Sequence, residues 1–354
     1  RCILCTRCVR FCDEIAGESQ LEVKNRGEHS EITTFPGQEL DSAYSGNVVD
    51  ICPVGALTNR DFRFRTRVWL LQTAGGVCPE CERGCTVRVD TYENSVRRLK
   101  PEHNPKVNNW WMCDHGRTAH VPYLEDRAEA PAGPVDGKRR VMPAADAIEA
   151  AHQALRAAGR GERIAVVVTP WLTNEDAFLV GQLLGGALHG AAVYMGGRAA
   201  GEGDDVLVRP DKNPNRKGVE AVLGALGIQP RPLSELTGRD VVTALVLGDQ
   251  HDVAPGFGDA LAGIEHRVVC GTAMGGLWKA ATVFLPTRTP FEKDGSTTNF
   301  EGVVQRLQRA VKAAGTCKSE GWYALQLARS MGMDIGYASP GEVFEDLART
   351  VPAF

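Results

Sequence analysis

The 354-residue chain contains no run of 18 or more apolar residues, and its first residues form no charged-then-apolar leader. It is therefore expected neither to cross a membrane through a helix nor to carry an export address, which predicts a cytoplasmic protein. Aromatic residues are scarce at 6%, and Lys and Arg are interspersed with Asp and Glu to a formal charge of only -4. Without a basic stripe and stacking platforms, nucleic acid is excluded as a partner. No G-x-G-x-x-G follows an apolar run and no P-loop occurs, so both common glycine-rich phosphate cradles are missing. Cysteine is nearly absent from the later two-thirds, where only Cys270 and Cys317 follow Cys113. Nine of the eleven cysteines lie before residue 114, an odd total in close clusters that fits metal ligation in a reducing compartment better than disulfides. Hydrophobic residues make up 43%, enough for ordinary cores in two or three domains.

The most concentrated of these clusters is CPECERGC followed by a long gap and WWMCDHGR. Cys78, Cys81, Cys85 and Cys113 have the spacing C-x2-C-x3-C-x27-C. Three thiolates within eight residues can wrap one corner of a compact inorganic cluster while a distant fourth closes it, which predicts a [4Fe-4S] site. A structural zinc site would more often pair two C-x2-C knuckles, and a disulfide framework would need an exported protein. A second set opens the chain: Cys2, Cys5, Cys8 and Cys12 in RCILCTRCVRFCD, spaced C-x2-C-x2-C-x3-C like half of a bacterial ferredoxin. In that pattern Pro follows the fourth Cys, which ligates the other cluster. Here Asp13 follows Cys12, and the Cys-Pro pair comes at Cys52 and Pro53, so Cys2, Cys5, Cys8 and Cys52 are expected to hold the second [4Fe-4S] cluster. Cys12 is expected on a helix as a buried spare thiol, the alternative being a ligand with partners further upstream. Arg1 directly before a ligand motif predicts a natural chain that continues upstream.

Between and beyond the motifs, LEVKNR and SEITTF read as a short hairpin, and CTVRVDTYENSVRRLKP as two strands around Glu93-Asn94 carrying the thiolate loop at one end. RDFRFRTRVWLLQTAGG alternates Phe62, Phe64, Val68 and Leu70 with Arg63, Arg65 and Arg67 and reads as a solvated strand face, or as a row of charge beside the anionic clusters. Residues 124–142 are rich in Pro, Gly and charge and look like a linker. From there the chain alternates. Helices are expected at PAADAIEAAHQALRAAG, with Ile148, His152 and Leu155 on one face, at TNEDAFLVGQLLGGAL capped by Thr173 or Asn174, at RKGVEAVLGAL and at GFGDALAGI. Short buried strands are expected at RIAVVVT, AAVYM, DVLVRP, VVTALVLG, RVVCG and TVFLP, which together predict an open α/β domain.

CILCTRCVRFCDEIAG, LDSAYSGNVVDICPVGAL, DFRFRTRVW and the later four-Cys motif together resemble the large iron-sulfur subunit of bacterial NADH:quinone oxidoreductase, respiratory complex I. The resemblance is dense over residues 1 to about 120 and looser beyond. It implies a ferredoxin-like [4Fe-4S] domain over 1–66, a β-rich [4Fe-4S] domain over 67–123 and a degenerate molybdopterin oxidoreductase-like α/β domain over 124–354. It implies partners as well: a flavin-containing NADH-oxidising subunit and other peripheral-arm subunits, with membrane association only through them, at the cytoplasmic face of the bacterial inner membrane. Electrons would pass through the Cys2, Cys5, Cys8 and Cys52 site toward quinone, while the Cys78, Cys81, Cys85 and Cys113 site would lie off that route. A missing upstream part would carry a [2Fe-2S] cluster and a His-plus-three-Cys cluster.

The segment FEKDGSTTNFEGVVQ resembles the pterin-contacting segment of molybdopterin oxidoreductases, yet three features depart from that pattern. Asp114 and His115 stand where Lys commonly follows the last cluster Cys, no Cys available as metal ligand falls between Cys113 and Cys270, and Val303 replaces a frequent Arg. No molybdenum or pterin is therefore expected, and Cys270 and Cys317 are read as structural. The favoured expectation is an electron-transfer subunit without a complete active site of its own. Two alternatives are an NAD-linked formate dehydrogenase-type molybdopterin subunit and a zinc-stapled structural protein.

Overall fold

The computed structural model describes all residues except 136–137, 249–256 and 353. The first thiols sit on a tight loop bent by two non-glycine residues in the left-handed region, Leu4 at φ 55° and Thr6 at φ 57°. Helix α1 (Arg7–Phe11) then continues as a π-helical turn, Cys12–Ala16, closed by Gly17 at φ 73°. The expected hairpin follows as β1 (Leu21–Lys24) and β2 (Glu31–Thr34), antiparallel. Helix α2 (Gly46–Ile51) lies against α1, and Phe11, Cys12, Leu21, Tyr44 and Val48 form a small core beneath them.

The strand expected from RDFRFRTRVWLLQTAGG forms only at its end, from Gln72; around Phe62–Leu70 it is not formed. Asn59 accepts from the backbone N–H of Phe62 through its side chain and of Arg63 through its carbonyl, Arg65 N–H closes on the Phe62 carbonyl, and Phe64 takes φ 67°. The chain therefore turns, ending in a 3-10 turn at Val68–Leu70. A turn that sends Phe62 under the Arg98 guanidinium (4.1 Å) and Phe64 into solvent imitates the period-two pattern of a strand.

A three-stranded antiparallel sheet comes next: β3 (Gln72–Val77), β4 (Thr86–Tyr92) and β5 (Ser95–Pro101). Its second turn has Glu93 and Asn94 at φ 50° and 57°, the doubly left-handed conformation that matches strand twist. Helix α3 (Asp114–Thr118) packs on β5, and Val87, Val89, Val96, Leu99 and Met112 fill the space between.

Residues 124–142 are not a plain linker. They contain β6 (Ala132–Val135) and β7 (Lys138–Val141), whose antiparallel pairing brings Val135 opposite Lys138, with the turn-prone pair Asp136-Gly137 between them in sequence. The α/β part then runs α4 (Ala144–Ala157), β8 (Ile164–Val168), α5 (Asn174–Gly185), β9 (Ala192–Met195), α6 (Arg216–Ala225), β10 (Arg231–Pro232), β11 (Thr243–Leu247), α7 (Phe257–Leu261), β12 (His266–Gly271), α8 (Gly276–Ala280) and β13 (Val283–Pro286). A hairpin of β14 (Gly295–Thr298) and β15 (Val304–Leu307) and two helices, α9 (Glu320–Ser330) and α10 (Pro340–Thr350), complete it.

Among the described residues these strands form an eight-stranded sheet in the order β10-β9-β8-β11-β12-β13-β6-β7, parallel from β10 to β13 and antiparallel at the β6-β7 edge. Alternate residues of each central strand feed two cores. Val166, Val168, Leu245 and Leu247 face one side with α4, α5, α6, α9 and α10, while Ala165, Val167, Ala244 and Val246 face the other. Both faces are covered, which is why these strands are continuous apolar runs. The buried stripe of α4 is built from Ala147, Ala151, Ala154 and Leu155, one position away from the face expected from Ile148 and His152. Small residues let α4 approach the sheet closely, and large-residue periodicity misses that choice.

DVLVRP forms no strand. The Asp204 carboxylate accepts the backbone N–H groups of Val206, Leu207 and Val208 at 2.8–2.9 Å, and the Tyr44 hydroxyl accepts from Leu207 and Val208. Side chains rather than a neighbouring strand satisfy this backbone, and the loop seals the small core under α1, where Leu207 is buried.

Candidate metal centre

The later thiol set is held at the end of the β3-β4 hairpin. Val77 pairs with Thr86, so Cys78 and Cys85 leave the two strands side by side, and Cys78 N–H donates to the Cys85 carbonyl at 2.9 Å. Cys81 lies on the loop between them, which Gly84 closes at φ 58° with its N–H on the Cys81 carbonyl. Cys113 caps α3, its sulfur accepting from Gly116 N–H at 3.3 Å. Gly116 suits this position: a Cβ would crowd Cys78 Sγ at 3.1 Å and Met112 at 3.2 Å. Cys78, Cys81 and Cys85 are buried, and among the described residues no two cysteines are joined as a disulfide.

Electrostatics links these four. Burial pushes the Cys78 thiol well up, and the charges of Cys85, Cys113 and Cys81 push it further. Cys85 is raised by burial and then by Cys81 and Cys113. Cys113 is pushed up to about 11 by burial, against the opposing Gly116 N–H. Cys78, Cys85 and Cys113, each raised by burial and by neighbouring thiolate charge, need a compensating cationic centre to become ligands. The donor set therefore fits a thiolate-ligated iron-sulfur cluster. Among the described residues no three His, Cys, Asp or Glu converge to share a single ion. A four-iron cluster asks for no such convergence, because each thiolate takes a different corner.

The earlier set is more open. Cys2 and Cys5 are exposed, and Cys2 Sγ accepts from Leu4 N–H at 3.4 Å. Cys8, on α1, is raised by burial, with Cys5 and Cys2 adding to the shift. Cys52 ends α2, the helix that packs on α1, and its thiol is lowered by backbone N–H groups, that of Leu57 most and those of Val54, Ala56 and Gly55 after. Cys12 points into the small core at 1% exposure and is pushed up to about 11 by burial and then by Cys8.

Sequence reasoning missed several residues that support the later set. Glu80, between Cys78 and Cys81, is buried and accepts from Arg198 at 2.9 Å, with His115 Nε2 2.6 Å away. Burial pushes its carboxyl up, but His115 and Arg198 outweigh that and hold it below the ordinary range. Arg198 is 118 residues from Glu80, and no local signal marks it. Five further contacts lock α2 against the strand and helix of the other set. Asp50 takes Arg117 at 2.7 Å and Lys100 at 2.8 Å, Asn47 exchanges hydrogen bonds with both the N–H and the carbonyl of Met112, and Asp114 accepts from Gly46 N–H.

Residues 1–58 match the family profile described as NADH-quinone oxidoreductase subunit 3, ferredoxin-like domain, and residues 71–121 match that of the molybdopterin oxidoreductase Fe4S4 domain. A subunit of the NADH-quinone oxidoreductase of Streptomyces coelicolor is 37% identical over 180 residues, covering 50% of this chain and 21% of that protein. Its counterpart in Rickettsia felis is 33% identical over 184 residues, 52% of this chain and 27% of that protein. About half of this chain is homologous to these NADH-quinone oxidoreductase subunits. NADH-quinone oxidoreductase subunit 3 of Thermus thermophilus is similar over the same share, 35% identical across 183 residues, 52% of this chain and 23% of that protein. The chain thus spans about a quarter of the length of the curated relatives it matches. Acetylene hydratase from Pelobacter acetylenicus shares 10% identity and a TM-score of 0.47 over 77% of this chain and 70% of that one, a likeness on which nothing further rests.

Proposed function

We propose that this chain is the electron-transfer iron-sulfur part of an NADH:quinone oxidoreductase and contains no complete active site. The carrying observation is the pair of thiol sets on folds matching the subunit 3 ferredoxin-like and Fe4S4 profiles. In this reading Cys2, Cys5, Cys8 and Cys52 hold one [4Fe-4S] cluster in a domain over 1–66, and Cys78, Cys81, Cys85 and Cys113 hold another in a domain over 67–123. Such a cluster supplies one-electron exchange at a potential tuned by its charge, burial and N–H···S hydrogen bonds. The protein's contribution is to fix the thiolates, donate Gly116, Leu4 and Ala56 N–H groups to sulfur, and exclude water from the buried set. A flavin-containing NADH-oxidising subunit delivers electrons to the Cys2, Cys5, Cys8 and Cys52 site, and other peripheral-arm subunits take them toward quinone. The Cys78–Cys113 set lies off that route. The assembly sits at the cytoplasmic face of the bacterial inner membrane, held there by its partners.

The α/β part over 124–354 reads as a molybdopterin-type domain that works without its cofactor. Its pterin-like segment is occupied with internal bonds. Lys293 is buried 2.5 Å from Glu320 and 3.5 Å from Asp176, Glu292 holds Arg127 at 2.8 Å, and Thr298 N–H donates to Asn215 at 2.6 Å. Between Lys293 and Cys78 the cavity walled by Trp171 and prolines measures about 20 Å³, room for about one water. A second cavity beside Lys293 holds about 210 Å³, below the roughly 300–1,000 Å³ typical of small-molecule sites. The function is tested on purified chain, anaerobically reconstituted. It should take electrons from dithionite with bleaching of the broad iron-sulfur absorption, and show no steady NADH oxidation with an artificial acceptor. Sustained NADH turnover by the chain alone, or an absorbance-free zinc protein, would refute the reading.

A further inference from the structure

The segment joining the two thiol domains is built unlike the rest of the surface. Phe64 is 89% exposed and Trp69 78%, and Val68 and Leu70 beside them are exposed too. Phe64 holds φ 67°, a conformation that L residues rarely adopt and that brings its ring no burial. The Arg63 guanidinium lies over its ring at 4.7 Å, and that of Arg67 over the Trp69 ring at 5.8 Å. Backbone strain that turns an aromatic ring outward has no benefit to the isolated chain and makes sense where another surface receives the ring.

Charge indicates what that surface carries. Residues 60–69 hold four arginines against one aspartate, in a chain whose total is -4. Val68, Arg63 and Arg65 line a cleft of about 1100 Å³ together with Arg97 and Leu124, and its carboxylates include Asp50, which is held by Arg117 and Lys100, and Glu80, which is held by Arg198 and His115. Neither Arg63, Arg65 nor Arg97 forms an ion pair among the described residues, in contrast to Arg98 and Arg117 nearby, which are held by Asp90 and Asp50. Exposed aromatics set among unpaired arginines are the composition of an interaction hot spot.

We infer that this segment and cleft dock an acidic face of a partner protein, with carboxylates opposite Arg63, Arg65 and Arg97 and an apolar recess for Phe64 and Trp69. This rests on the reading of the chain as one subunit of an assembly, and it adds which surface binds and what chemistry it binds. A cation-rich, aromatic ridge between two electron-carrying domains is suited to orienting a partner against them.

The test uses the assembly isolated through an affinity tag on this chain, with the photoreactive residue benzoylphenylalanine in place of Phe64 or Trp69. Irradiation should join both positions to a segment of another protein that is richer in Asp and Glu than in Lys and Arg. Cross-links to a basic segment, to a second copy of this chain, to lipid or nucleic acid, or to nothing at either position would overturn the proposal. In parallel, R63E/R65E/R97E should weaken retention in the assembly on the order of 10²-fold, while R63K/R65K/R97K keeps most of it. Retention of the Glu variant at wild-type level overturns the proposal, and its iron content, unchanged from wild type, shows that it folds. An assembly that gives the acidic cross-link but oxidises no NADH would sink the proposed function and leave this interface standing.

Discussion

Gln305, on β15, donates its side-chain N–H to the carbonyl of Gly84 at 2.7 Å, joining the α/β part to the loop that carries Cys81 and Cys85. Its Oε1 also accepts from Thr86 Oγ1 at 2.6 Å, while Phe300 N–H donates to Glu82 and Asn299 to Arg83 from the same hairpin. The segment that resembles a pterin contact thus works here as a clamp on the thiolate loop. Gln305→Ala leaves a buried carbonyl and hydroxyl short of a partner and should cost about 1–3 kcal/mol. Urea titration would read this as a lower midpoint, and chelator should extract iron faster from the later site. An unchanged midpoint would show that the clamp carries no weight.

Reconstituted protein should hold about eight iron atoms, four per thiol set. Cys81→Ala opens one corner of the buried set and should remove about half of them. Cys12→Ala, in a packed apolar core, should leave iron content unchanged and lower only stability. Full iron in the Cys81 variant, or loss of a cluster in the Cys12 variant, would show that the ligands are misassigned.

Small molecules released from the denatured assembly, together with molybdenum and tungsten analysis, should show neither a stoichiometric pterin nor either metal. The expectation follows from the ion-paired Lys293 and the small cavities beside it. One pterin or one such metal per chain would reinstate a catalytic reading of the α/β part.

His120 provides the pH test. It is 9% exposed with Nδ1 unpartnered among the described residues, and burial lowers its pKa below the ordinary 6.5. The unfolded chain then takes up the proton first as pH falls, so stability is whole above about 6.5 and declines below it. Urea midpoints between about pH 7.5 and pH 5.5 should fall less steeply for His120→Gln than for the parent. Parallel slopes would mean that His120 is not the responsible group.

Much of the candidate centre was legible in the linear sequence because three thiols of each set are local. Cys78, Cys81 and Cys85 fall on one hairpin loop, Glu93-Asn94 dictates the turn at the other end, and of the two expected caps Thr173 is the one that caps α5. Local hydrogen bonding and side-chain period decide such features. The continuous apolar strands likewise announced a doubly covered sheet. The tertiary structure decided the rest. Phe62–Leu70 alternates like a strand but is a turn, because Asn59 satisfies its backbone. DVLVRP reads as a strand but is wrapped on Asp204 and Tyr44. Glu80 meets Arg198, and Gly84 meets Gln305, across 118 and 221 residues. Nothing in the neighbouring sequence encodes such pairs, since a charged or amide group on one element acquires its partner only when packing of the apolar faces brings a second element within reach.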